Sequence, residues 1–298
     1  MAEPVSLRMS SRKSATGNLT RRRFLAGATL TAGGLALYSG EIERHMLMTV
    51  ERTVRIRNLP APFHGFRIAQ LSDFHFHDYD ESFFVRHAVE RVNALAPDMV
   101  ALTGDFVTLK EDLSHTVIPN AYACAEILGK LTCPIRFCSL GNHDVAIKKQ
   151  MADALRRNGL QILINQFTAL ERRGERVWIS GIADAYFDIP NLALAIPQRK
   201  PNEPIILLGH EPDFADAIVG QNYDVDLMLA GHTHGGQVRL PFLPALLLPA
   251  MGEKYVEDLH RVGTSGMQIY VNRGLGCMHL PFRFNCPPEL TLITLQPA

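Results

Sequence analysis

The sequence predicts one α/β domain over residues 45–298, and three observations carry that prediction. Short apolar runs of strand length alternate with segments of helical hydrophobic spacing, the order that builds sheets covered by helices. Five of the apolar runs end in a polar cluster, at 73–75, 105, 142–143, 210 and 232–234. In open α/β sheets the ligand site lies beyond the carboxyl ends of strands, so five such ends can converge on one crevice. No internal repeat and no linker-like stretch interrupts 45–298.

In order, Val50, Arg52, Val54 and Ile56 alternate with Glu51, Thr53 and Arg55, which predicts a half-exposed strand. Buried strands follow over 66–71 and 99–102, with a helix over 81–95 between them that stops before Pro97. Helix is expected over 121–131, strand over 135–140 and helix over 146–157. Three short strands (160–164, 168–170, 176–182) precede strand 204–208, helix 213–219 and the apolar run 225–230. Strands over 267–272 and 290–295 close the chain.

Residues 1–44 read as a separate basic N-terminus. In the first two dozen residues Arg8, Arg12, Lys13, Arg21, Arg22 and Arg23 stand against only Glu3, and a weakly apolar run, Ala26 to Tyr38, follows. A basic region followed by a short apolar stretch is the pattern of an export signal. Consecutive arginines followed by Phe24-Leu25 resemble a twin-arginine (Tat) signal, which implies the Tat export machinery as partner and a periplasmic or outer-face location on a bacterial inner membrane. No A-x-A site follows Tyr38, so the segment is also a candidate anchor, though at about 15 residues it is shorter than the roughly 20 needed to span.

With 47% apolar and 20% charged residues and a formal net charge of zero, the chain has ample material for a core and no basic face downstream, so nucleic acid is not an expected partner. Five cysteines without a C-x-x-C pair argue against a disulfide framework or a structural zinc site, although Cys277 and Cys286 flank one short loop.

The polar clusters supply Asp73, His75, Asp105, Asn142, His143, His210, His232 and His234. His232 and His234 lie two residues apart after an apolar strand, and in extended backbone they would face one centre. Two carboxylates, an amide oxygen and imidazoles, with no thiolate, suit manganese, iron or zinc as divalent ions. With His143 set aside, the remaining seven ligands exceed one tetrahedral ion and predict two ions sharing a carboxylate bridge.

The succession D-x-H, GD, GNHD, GHEP and GHTHGGQ resembles the calcineurin-like metallophosphoesterase superfamily across most of 65–240. FRIAQLSDFH, VNRGLG and PFRFNCPPEL are similar to its bacterial branch of Tat-exported or membrane-associated phosphodiesterases, which includes UDP-2,3-diacylglucosamine pyrophosphatases of lipid A synthesis. The resemblance implies a four-layer αββα sandwich and a hydrolase that cleaves phosphodiester or pyrophosphate bonds with a metal-bridging water as nucleophile. It assigns Asp73, His75 and His234 to one metal, Asn142, His210 and His232 to the other, and Asp105 to both. His143 is the catalytic residue that would protonate the leaving alcohol or bind a phosphoryl oxygen, with Asp112 or Asp144 as its orienting carboxylate. Purple acid phosphatases carry a tyrosine ligand three residues after the bridging aspartate, where this chain has Thr108. His77 and Arg273 are candidate substrate contacts, while Asp184 reads as a turn residue. The proline-rich apolar run 240–251 directly follows the metal motif and forms either a core loop or an exposed rim for a membrane surface or lipid-linked substrate. A UDP-2,3-diacylglucosamine pyrophosphatase and a catalytically silent metal-binding scaffold are the competing expectations.

Overall fold

The computed structural model describes residues 21–76 and 82–298. His77 and the basic residues before Arg21 lie outside them. The chain divides after Leu37. Helix α1 (Arg21–Leu37) buries none of its residues, and among the described residues no helix is long and apolar enough to cross a membrane.

The unit Tyr38–Ala298 contains β1 (Met48–Ile56), β2 (Arg67–Leu71), α2 (Ser82–Leu95), β3 (Met99–Thr103), α3 (Ile118–Leu128), β4 (Arg136–Ser139), α4 (Lys148–Arg157) and β5 (Gln161–Ile162). These are followed by β6 (Gln166–Arg172), β7 (Glu175–Gly181), α5 (Leu192–Ala195), β8 (Ile205–Leu208), α6 (Phe214–Gly220), β9 (Leu227–Ala230), β10 (Asp258–Arg261), β11 (Gln268–Val271) and β12 (Glu289–Pro297).

The strands form two six-stranded sheets, in the orders β1-β12-β2-β3-β4-β5 and β10-β11-β9-β8-β7-β6. Strands β2 to β5 run parallel, as do β7, β8, β9 and β11; β6 and β10 join the second sheet antiparallel. Burial on both faces explains why the central strands read as continuous apolar runs. Along β8, Ile206 and Leu208 enter the core between the sheets, while Ile205 and Leu207 face α5 and α6. Along β2, Ile68 faces the second sheet, and Ala69 and Leu71 pack with Val85 and Val92 of α2 and Leu155 of α4. Three apolar layers therefore separate four layers of elements, the αββα sandwich.

Two local expectations shift. Helix α3 begins at Ile118 rather than 121 because Pro119 is accommodated in its first turn, where no amide hydrogen is needed. Strand β10 was not expected: Asp258-Leu259-His260-Arg261 is polar and lies at a sheet edge, where the alternation signal is weak.

Candidate metal centre

Five parallel strands deliver the site at their carboxyl ends: β2, β3 and β4 from one sheet, β8 and β9 from the other. Gln70 fastens the sheets just below it, donating to Thr103 Oγ1 (3.2 Å) and to the Ala230 carbonyl (2.9 Å). Beyond these ends the backbone is forced into the left-handed region at Asp73 (φ 51°), His75 (44°), Asp105 (53°), His232 (73°) and His234 (50°). Each such residue costs on the order of 1–3 kcal/mol, a strain that persists where surroundings over-determine the geometry, commonly at functional sites.

Close approach explains the glycines. A Cβ on Gly231 would lie 1.9 Å from Ser72 Oγ and 2.4 Å from Asp73 Oδ2, and one on Gly141 would lie 2.4 Å from Asp105 Oδ1.

The predicted residues gather in overlapping groups whose ligand atoms lie within 4.8 Å of one another: Asp73, His75 and His234; Asp105, His210 and His232; and His75, Asp105 and His143. Asp105 joins them, with Oδ2 3.1 Å from His210 Nε2 and 3.7 Å from His75 Nε2. Its Oδ1 accepts the His143 amide hydrogen at 2.9 Å. The Nε2 atoms of His75 and His234 face each other at 3.0 Å.

Each imidazole is held by its outward nitrogen. His210 Nδ1 donates to the Thr103 carbonyl (2.6 Å), His232 Nε2 to the Ala250 carbonyl (2.9 Å), and His75 Nδ1 meets Thr108 Oγ1 (2.8 Å). Such anchoring fixes the tautomer and turns the other nitrogen towards the centre. Thr108, at the position where a tyrosine ligand would stand, thus braces a histidine instead.

Two buried atoms are open to a cation. Asn142 Oδ1 and His210 Nε2 are buried without a hydrogen-bond partner. With its proton on Nδ1, the neutral His210 ring turns a lone pair towards a carboxylate oxygen, an arrangement that a divalent ion resolves. Burial, followed by neighbouring cationic groups, lowers the pKa of His234 and His232, and burial does the same at His75, so these rings stay neutral and able to ligate. At His210 burial is outweighed by Asp105, so the imidazole rises and the carboxylate falls: without an ion a second proton, on Nε2, takes the place of the cation and pairs with the carboxylate.

His143 lies edge-on to His75, with ring centroids 5.1 Å apart. Its Nδ1 accepts the Leu109 amide hydrogen at 3.0 Å, so Nε2 carries the proton. Neither expected carboxylate orients it. Asp112 caps the turn at His115, and buried Asp144 accepts from Phe106 (3.0 Å) and Gly141 (3.0 Å), clamping the Asp105 loop to the Asn142 loop. The signal for Leu109 was absent from the sequence because a backbone amide has no residue type.

Arg273 is brought near the centre, but its Nε donates to buried Glu289 at 2.6 Å. Asp184 accepts the amide hydrogens of Tyr186 and Phe187 and so forms a turn. Sequence reasoning passed over Arg283, which is wholly buried and donates to the carbonyls of Arg273, Gly274, Gly276 and Cys286, with Nη2 3.4 Å from His234 Nδ1. The five cysteines are buried, and the Cys286 thiol donates to the His234 carbonyl (3.3 Å).

The paired histidines reach the centre by a different route from alternation. The backbone leaves β9 at Ala230 and turns through His232 and His234, both left-handed, with Thr233 between them in helical conformation.

A family model described as calcineurin-like phosphoesterase matches residues 66–236. The metallophosphoesterase YkuE of Bacillus subtilis is 34% identical over 93% of this chain and 98% of its own length. Phosphodiesterase YaeI of Escherichia coli is 29% identical over 93% of this chain and 99% of its length. The UDP-2,3-diacylglucosamine pyrophosphatase LpxG of Chlamydia trachomatis is 26% identical over 84% of this chain and 90% of its length.

Proposed function

This chain belongs to the calcineurin-like phosphoesterase family, and we propose that it hydrolyses phosphodiester bonds in a substrate held at a membrane surface. The coarser statement, a phosphoester hydrolase with two divalent metals, follows from the family and the clustered ligands. One observation carries the reading: two ligand groups share Asp105, and His210 Nε2, a member of one of them, is buried without a hydrogen-bond partner, as is Asn142 Oδ1.

Asp73, His75 and His234 would hold one ion, Asn142, His210 and His232 the other, with Asp105 serving both. When bound, the ions would lower the pKa of a water and neutralise charge developing on phosphoryl oxygens. Asp105 fixes the spacing of the two halves through its hydrogen bond from the His143 amide. His143 offers Nε2–H to a phosphoryl or leaving oxygen. Donation of a hydrogen bond is favoured over full proton transfer, because Nδ1 is occupied as an acceptor and the neutral ring has only that one proton to give.

Manganese is the proposed ion, and hydrolysis of bis(p-nitrophenyl) phosphate the assay. Activity is expected to rise with added Mn²⁺ and to fall to background in Asp105→Ala; an Asp105→Ala variant as active as the wild type sinks the reading. The relative that cleaves UDP-2,3-diacylglucosamine makes that pyrophosphate the second substrate to try. We also propose Tat export to the outer face of a bacterial inner membrane, supported by Arg21-Arg22-Arg23-Phe24-Leu25. A reporter fused after residues 1–45 should appear on the outer side; a cytoplasmic reporter redirects the substrate search to UDP-sugars.

A further inference from the structure

The apolar run after the metal motif is an exposed rim. Phe242 is fully exposed and Leu247 is 84% exposed, Leu243 and Leu246 between them are exposed as well, and Leu280, held to Gln237 at the base of the run, is exposed too. So many large apolar side chains left in water on one short segment mark an interaction surface.

The backbone beneath them is tied to the site. Arg239 N donates to the Phe284 carbonyl (2.8 Å), Phe284 N donates to the Gln237 carbonyl (3.1 Å), and the Gln237 side chain donates to the carbonyls of Met278 (2.9 Å) and Leu280 (3.1 Å). Arg239 pairs with Glu257, and His232 Nε2 donates to the Ala250 carbonyl. The Cβ of Ala245 lies so close to Gly236 that a side chain there would meet it at 2.4 Å. Pro241, Pro244 and Pro249 stiffen the span between these anchors. A floppy loop would fold its leucines inward; this one holds them out.

The first residues of the second unit lie at the base of the rim. Arg283 N donates to the Ser39 carbonyl (3.0 Å), Cys286 N donates to Glu43 Oε1 (2.8 Å), and Gly40 packs on the Phe282 ring. Residues 38–43 therefore lie on 281–286, which pairs with 237–239 at the base of the rim. The segment that precedes them in the sequence is apolar and headed by Arg21, Arg22 and Arg23, a sequence suited to anionic headgroups and lipid chains.

We propose that Phe242, Leu243, Leu246, Leu247 and Leu280 insert into an anionic phospholipid surface and set the metal centre against its headgroups. The proposal rests on the reading that the substrate is presented at a membrane, and names the surface that meets it.

The test uses the full chain. Because the five native cysteines are buried, Leu247→Cys can be labelled selectively with an environment-sensitive fluorophore. Asn202→Cys, in the exposed turn at the amino end of β8, opposite the carboxyl ends that carry the site, is the control. On vesicles of phosphatidylethanolamine and phosphatidylglycerol (3:1), the label at 247 should shift to the blue and be quenched by brominated lipid, and the label at 202 should not change. Phe242→Ser/Leu247→Ser should weaken vesicle binding about tenfold or more and leave hydrolysis of soluble bis(p-nitrophenyl) phosphate unchanged. A label at 247 that stays in water while the protein sediments with vesicles overturns the proposal, as does a wild-type dimer that the double substitution converts to monomer. Insertion of the rim by a protein inert on every phosphodiester with Mn²⁺ would support the surface and sink the phosphodiesterase reading instead.

Discussion

At the scale of single residues, the donor set was open to sequence reading and the support around it was not. Asp73, His75, Asp105, Asn142, His210, His232 and His234 each follow an apolar strand in a recognisable motif; the structure collects the carboxylates and imidazoles and leaves the Asn142 oxygen buried and unpartnered. The groups that aim them are backbone atoms or residues from unrelated motifs: the Thr103 and Ala250 carbonyls, Thr108, and Arg283 beneath His234. No spacing rule links a ligand to an accepting carbonyl on a strand 107 residues away. His143 shows the consequence most directly, because its orienting partner is the Leu109 amide and not a carboxylate. His143→Ala should lower turnover by about 10²–10³-fold, the cost of one lost oxyanion donor. His143→Gln, which keeps a donor at similar reach, should recover at least about tenfold of that; equal loss in both variants would favour proton transfer. Glu211 offers a test away from turnover. Its carboxyl is held well above the usual range by burial first and by the facing Asp184 second. A folded-state pKa above the unfolded value of about 4.3 means the folded chain binds the proton more tightly, so its contribution is complete below that value and is lost as pH rises through the folded one. Glu211→Gln supplies a permanent donor to Asp184, so its Tm should fall less than that of the wild type as the pH rises above the ordinary carboxyl range. Parallel Tm curves would contradict this.

At the scale of elements, the strand ends explain both the precision and the strain of the site. The central strands were legible because both faces are buried, whereas β10 and the short α5 escaped because polar edge strands and single-turn helices carry little periodicity. Alternation was the wrong account of His232 and His234, since side chains two apart share a face only in extended backbone, and here the chain is left-handed at both. Gly231 allows that turn to approach β2. Gly231→Ala would drive a methyl into Ser72 and Asp73, so manganese affinity should weaken by about 10–100-fold, the range for disturbed ligand support. Isothermal titration measures it, and an unchanged affinity would show that the turn tolerates displacement.

At the scale of the whole molecule, the sandwich turns the carboxyl ends of parallel strands from both sheets towards one centre, with Gln70 tying the sheets below it. The sequence left open whether 240–251 is core or rim, and it set the start of the domain at residue 45. The first was undecidable because apolar, proline-rich composition suits either place. The second hinges on Ser39, Gly40 and Glu43, which are buried although their segment looks like the tail of a signal. Removal of residues 1–37 should therefore leave Tm nearly unchanged, whereas removal of 1–45 also strips the bonds to Arg283 and Cys286 and should lower it by about 5 °C or more. Equal Tm values for the two truncations would detach that segment from the fold. The central claim is a pair of metal sites joined through Asp105, and metal content tests it most directly. Elemental analysis of manganese-loaded protein should give about two ions per wild-type chain and at most about one in Asp105→Ala. A wild-type chain that saturates with a single ion, or an Asp105→Ala chain that still holds two, would contradict it.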